Sequence, residues 1–143
     1  MSDAVMLEEI KKAMGAHGAW KLRLRTAISV GRSDANPSQV KCDNLCEFGK
    51  WLYGQSIDGE TKRGMPYQVI RRLHAEFHAC ASSVLELAIA GRKDQAITLL
   101  EGEYTERSDK LVRAMTKWRG EIMHGVAPRP AGEMKAAERR AFG

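Results

Sequence analysis

The sequence is short of several things, and each shortage narrows what the chain can be. It holds three cysteines in 143 residues, an odd and small number that argues against a disulfide framework and for reduced thiols or a metal ligand. No apolar run approaches the roughly 18 residues that a membrane span requires, so no membrane segment is expected. The opening MSDAVMLEEIKKAM carries acids and lacks an apolar centre. That is not a secretory signal, and the expected location is cytoplasmic. Strand-like alternation and internal repeats are both missing. Aromatics are sparse, with three Phe, three Tyr and three Trp, and no recognition motif frames the basic residues. The net charge of +5 is scattered along stretches such as KLRLR and KWRGE with acids among them. It reads as a solvated basic face, with no nucleic-acid partner expected.

What is present is ordinary for a soluble globular chain: 43% hydrophobic and 29% charged residues. The length suits one domain with a substantial core. Helical periodicity dominates. Met6, Ile10, Ala13, His17, Trp20, Leu24 and Ala27 recur at spacings of three and four, giving one apolar stripe. Ser2 or Asp3 suits its N-cap, and Gly31 with RSDANPS ends it. A second stripe runs through Ile70, Leu73, His74, Phe77, Ala81, Val84, Leu85 and Ala88 to Gly91. A third joins Ile97, Leu100, Tyr104, Leu111, Met115, Trp118 and Ile122 and stops near Gly125.

Between the first two stripes, CDNLCEFGKWLYG predicts a shorter helix of about three turns from near Asp43 to Gly54. The stretch QSIDGETKRGMP predicts a loop closed by Pro66. Pro128 and Pro130 end regular structure, leaving EMKAAERRAF as a short helix or a tail. The expected fold is all-α: an antiparallel four-helix bundle with one shorter helix and an extra C-terminal tail. The division is residues 1–125 for the bundle and 126–143 for the basic tail.

Four histidines are present, and two of them, His74 and His78 in HAEFH, stand one helical turn apart. Positions i and i+4 project from nearly the same helix face, so two imidazoles there can grip one ion. Alone, the pair is ambiguous. His17 on the first stripe reads, by itself, as a core histidine, and Cys46 beside Phe48 and Trp51 reads as a small buried hydrophobe. Together they offer three imidazoles and a thiol from three helices. That donor set suits a tetrahedral zinc ion and not the oxygen-seeking magnesium or calcium.

These same residues carry a family resemblance. AHGAWKLRL with His17, Trp20 and Lys21, then CEFGKWLYG with Cys46, then HAEFH make the chain similar to the chemoreceptor zinc-binding (CZB) domain. The separations agree, 29 residues from His17 to Cys46 and 28 from Cys46 to His74, and the resemblance covers roughly residues 5–120. It implies that His17, Cys46, His74 and His78 hold one zinc ion. It also implies a homodimeric helical bundle that regulates a chemoreceptor or a diguanylate cyclase, with zinc occupancy or oxidation of the zinc-bound cysteine as the cue. No signalling hairpin or cyclase domain follows residue 125, so the chain is expected to be a stand-alone protein or an excised piece.

Other readings are weaker. A zinc protease uses HExxH, but Ala75 stands where the acid belongs and Glu76 comes one position late. Glu76, Glu86 and Glu101 form no Glu-x-x-His pairs with His74 or His78, so a di-iron site is not expected either. No enzyme activity is expected. A structural zinc-clipped dimerisation module is the alternative, in which Trp51, Tyr53, Met115 and Trp118 could serve an interface. On a continuous helix Cys42 and Cys46 could share a face, with Cys42 as a resolving thiol, although a helix-start role suits it better. Cys80 reads as packing, and His124 as a helix C-terminal residue outside the metal shell.

Overall fold

The computed structural model describes residues 3–126; Ser2 and residues 127–143 of the expected tail lie outside the described residues. In chain order the elements are α1 (Asp3–Val30), α2 (Pro37–Val40), α3 (Glu47–Tyr53), α4 (Gly59–Arg63), α5 (Met65–Ile89), α6 (Lys93–Leu99), a π-helical turn (Leu100–Tyr104) and α7 (Thr105–Met123). Among the described residues there is no strand. The fold is all-α, as the periodicity predicts.

The stripes become the core. Met6, Ile10, Ala13, His17, Leu24 and Ala27 are buried along α1, with Trp20 half-buried. Every member of the second stripe is buried along α5. A buried aliphatic or aromatic side chain contributes about 1.5–3 kcal/mol, so these faces hold the three long rods together. The rods end on glycine. Gly91 takes a left-handed φ of 75°, which lets its N–H reach Ala88 O and the Arg92 N–H reach Leu87 O. An L side chain is strained in that conformation.

Contacts between elements fix the chain course. Lys93 Nζ donates to Ser29 O at 3.1 Å, tying the start of α6 to the end of α1. At the other end Met6, Pro66, Trp118 and Ile122 line one cavity. So α1 and α5 run the same way, and the α6–α7 rod returns against them. The segment from α2 to α3 also runs against α5. Along it, Pro37 O accepts from Ser82, Val40 O from His78 and Leu52 O from Tyr67. Successive residues thus meet successively earlier turns of α5. This crossing segment fills the place of the expected shorter helix.

Several local expectations are corrected. Residues 43–46 are not helical; α3 begins at Glu47 and Cys46 is its N-cap. Cys42 and Cys46 therefore do not share a continuous helix. QSIDGETKRGMP is not all loop: it contains α4, capped by Asp58, whose carboxylate accepts from Thr61 N at 2.7 Å. It also buries Ile57 and Thr61. Ile97 is 46% exposed, because the π-helical turn that follows resets the register of the third stripe. Thr105 Oγ1 donates to Leu100 O at 2.8 Å across that turn, and Lys21 Nζ donates to Thr105 Oγ1 at 3.1 Å. Met115 and Trp118 are buried in the core and cannot serve an interface.

Candidate metal centre

Two side chains of the site come from one turn of α5. His74 and His78 are both buried, and their Nε2 atoms lie 3.0 Å apart. His17 reaches them from α1, with its ring edge-on to that of His74 at 5.1 Å between centroids. Cys46 arrives from the N-terminus of α3. Its Sγ lies 3.4 Å from His74 Nε2 and 3.6 Å from His78 Nε2. One donor atom from each of the four residues lies within 4.8 Å of all the others.

Backbone carbonyls aim two of the imidazoles. A carbonyl can only accept, so the 2.8 Å contacts of His17 Nδ1 with Ala13 O and of His78 Nδ1 with Val40 O put the ring proton on Nδ1. Each Nε2 is then left with a lone pair pointing inward. This carbonyl-to-imidazole support is the usual outer shell of a metal-bound histidine. His74 differs: its buried Nδ1 has no hydrogen-bond partner. Phe77 packs edge-on against His17 at 4.7 Å and Phe48 against His74 at 5.2 Å, walling the imidazoles off from water.

The thiol is placed by helix capping. As N-cap, Cys46 has extended backbone (φ −77°, ψ 163°) and its sulfur accepts from Gly49 N at 3.3 Å. Sulfur here does the work of a Ser or Asp cap. Gly49 is needed for a steric reason, since a Cβ on it would lie 1.8 Å from Asp43 O. The chain folds over the first turn of α3 only because that position has no side chain. The same turn is fastened by Tyr53, whose hydroxyl donates to Asp43.

Burial controls the protonation of the site. It lowers His17 to about 4, partly opposed by the bond to Ala13, and lowers His74 to about 2 with His78 and His17 adding to the effect. His78 is lowered by burial, against the opposing pull of Val40 and Asp43. The Cys46 thiol is raised by burial, with the Gly49 N–H acting the other way. At neutral pH the imidazoles are therefore uncharged ligands, and the thiol gives up its proton when a cation arrives.

The donors fit a tetrahedral zinc ion. Bonds of about 2.0–2.1 Å to nitrogen and 2.3 Å to sulfur set tetrahedral edges near 3.3 Å for N···N and 3.6 Å for N···S. The separations between His74, His78 and Cys46 lie close to those edges. The family model described as "chemoreceptor zinc-binding domain" matches residues 17–85, from the first of the four donors to a point beyond the last. Over those residues the chain is similar to the chemoreceptor zinc-binding (CZB) domain. No curated protein and no solved structure matches it.

All four site residues expected from the sequence meet at this site. The remaining candidates stay out. Cys42 is exposed and its thiol donates to Ser38 O at 3.5 Å. Cys80 is buried and burial pushes it up to about 11, as suits a packing thiol. His124 is the exposed C-cap of α7. Sequence reasoning missed the supporting atoms of the site: the carbonyls of Ala13 and Val40, and Gly49. Backbone carbonyls leave no mark in a sequence. Gly49 does leave one, a glycine three residues after a cysteine at a helix start.

Proposed function

We propose that the protein binds one zinc ion through His17, Cys46, His74 and His78 and works as a regulatory, sensory domain in bacterial chemotaxis or cyclic-di-GMP signalling. The carrying observation is the convergence of three imidazoles and one thiol within 4.8 Å. Four protein donors complete a tetrahedral shell, with no position for water or substrate, so the function is not enzymatic. A zinc ion held there supplies a fixed positive charge that favours the thiolate form of Cys46 and joins α1, α5 and the crossing segment.

The residues themselves supply the switch. His74 and His78 belong to a long, buried helix, whereas Cys46 sits at the end of a short connection and is only partly buried. A hydroperoxide entering from that side meets the thiolate. The Cys46 sulfur attacks one peroxide oxygen, the O–O bond breaks, hydroxide or alkoxide leaves, and a sulfenic acid remains. Sulfur is oxidised and the peroxide reduced, and the domain has lost its sulfur donor. Removal of zinc by depletion opens the same connection. Both cues alter how the crossing segment packs on α5, and an output coupled to that packing shifts with them.

The second reading is a structural, zinc-clipped homodimerisation module. It draws on the apolar residues that α1 leaves exposed, Val5, Leu22 and Val30, with Leu22 71% exposed. In the sensory reading the domain is also a homodimer, and its partner is a chemoreceptor or a diguanylate cyclase. Among the described residues, no helix is long and apolar enough to cross a membrane. Circular dichroism of the chelator-treated protein separates the readings. A sensor keeps its helix content and rebinds zinc reversibly, whereas a structural clip unfolds when stripped. Failure to bind one equivalent of zinc would overturn both.

A further inference from the structure

The metal-side face of α5 does not end at its two histidines. His74, His78 and Ser82 follow one another at intervals of four, each about 6 Å further along the helix. Ser82 is 2% exposed, and its hydroxyl donates to Pro37 O at 2.7 Å. One turn earlier on the same face, His78 Nδ1 donates to Val40 O at 2.8 Å. Pro37 and Val40 are the first and last residues of α2. The one-turn helix is therefore held to α5 by both ends, through one metal-site histidine and one serine.

These bonds have a backbone logic. A helix of four residues satisfies almost none of its own carbonyls and needs partners for them. Pro37 O takes the Lys41 N–H at 3.0 Å as well as the Ser82 hydroxyl. The Asn36 carboxamide, accepting from Ser38 N at 2.9 Å and Ser38 Oγ at 2.7 Å, fixes where α2 starts. The position of Val40 O thus depends on anchors on both sides of it. His78 in turn depends on Val40 O for its tautomer, since that bond keeps the proton on Nδ1 and the lone pair on Nε2.

We propose that Ser82 is a positioning residue of the metal site, holding α2 so that the Val40 carbonyl keeps His78 Nε2 aimed at Cys46 and His74. The assignment rests on the zinc reading above. Ser82 touches no metal donor atom and acts through Pro37, α2 and Val40. Loss of its hydroxyl lets the N-terminal end of α2 lift, frees the His78 ring to adopt the other tautomer, and weakens the site without removing a donor.

The test compares Ser82→Ala with Ser83→Ala in the full chain. Ser83 is the exposed neighbour whose hydroxyl bonds only within α5, to Ala79 O at 3.2 Å. Zinc affinity is read by competition with a chromophoric chelator, and the His78 tautomer by long-range 1H–15N correlation in the metal-free protein. Ser82→Ala should lower zinc affinity about 10-fold, the low end of the range for outer-shell changes. It should also populate the Nε2–H form of His78, while Ser83→Ala changes neither. Ser82→Thr, which keeps the hydroxyl, should recover the wild-type tautomer. Tight zinc binding by wild type with no loss in Ser82→Ala, or an equal loss in Ser83→Ala, overturns the role of Ser82 and leaves the zinc site standing. Wild-type protein that binds no zinc overturns the site itself, and the positioning role falls with it.

Discussion

The two halves of the site are built in opposite ways. His74 and His78 sit mid-way along a 25-residue helix, buried against His17 of α1 and the crossing segment, and their spacing follows from helix geometry alone. Cys46 ends an irregular stretch between a four-residue helix and a seven-residue helix, where few backbone hydrogen bonds are internal. The first half is held by burial over many residues. The second buries few side chains, chiefly Val40, Phe48 and Leu52, and is otherwise held by a few identifiable atoms: the Gly49 N–H, the Asp43–Tyr53 bond and the anchors on α2. On the proposed reading, a metal site made this way has a rigid half and a releasable half, and the oxidisable donor belongs to the releasable one.

Removing a donor is the most severe way to break that contrast. Cys46→Ala and His78→Ala should each lower zinc affinity by orders of magnitude in chelator competition. Chelation of the wild type should then expose the asymmetry. Hydrogen exchange across residues 36–54 should rise steeply while the amides of α5 and α7 stay protected. Uniform exchange over all elements would mean that the halves are not distinct.

Gly49→Ala attacks the releasable half without touching a donor. Overpacking of this kind costs about 1–3 kcal/mol or more, and here the new Cβ meets backbone, at 1.8 Å from Asp43 O. Zinc affinity should fall with it, while Gly102→Ala, where a Cβ meets nothing within 4 Å, should leave the metal site unchanged. Hydrogen peroxide should release zinc into a metallochromic dye from wild type. The release should be as fast in Cys42→Ser and Cys80→Ser, because neither thiol takes part. Dependence on Cys42 would restore the resolving-cysteine role that the fold argues against.

The mildest probe is acid. His17 is lowered to about 4 and His74 to about 2, with His78 lowered too, while the unfolded chain titrates its histidines near 6.5. Between those values the unfolded chain takes up protons that the folded chain refuses. Stability of the metal-free protein should therefore fall as pH drops from about 6.5 towards 4, and be flat with respect to these groups above 6.5. Denaturant midpoints across that window check the sign, and a midpoint that rises on acidification would contradict it.

Much of this was legible in the sequence because helices impose a period. Stripes of buried residues give α1, α5 and α7, and the i, i+4 rule puts His74 and His78 together before any tertiary contact is considered. Where hydrogen bonds are non-local the reading failed. Nothing in CDNLCEFGKWLYG shows that the helix starts after Cys46 instead of before it, because the cap depends on Asp43 folding back over Gly49. Periodicity puts Ile97 on a buried stripe because a uniform period cannot anticipate a π-helical turn, which Thr105 and Lys21 stabilise from two different elements.

The sequence by itself determined the class of fold, the four donors and their chemistry, since these depend on residue type and local spacing. Only the tertiary structure decided which nitrogen of His17 and His78 faces the metal, that His74 has no outer partner, and that Cys46 stands on the looser side. Those properties depend on where the backbone carbonyls of Ala13 and Val40 lie. A carbonyl is common to every residue, and only folding gives it an address.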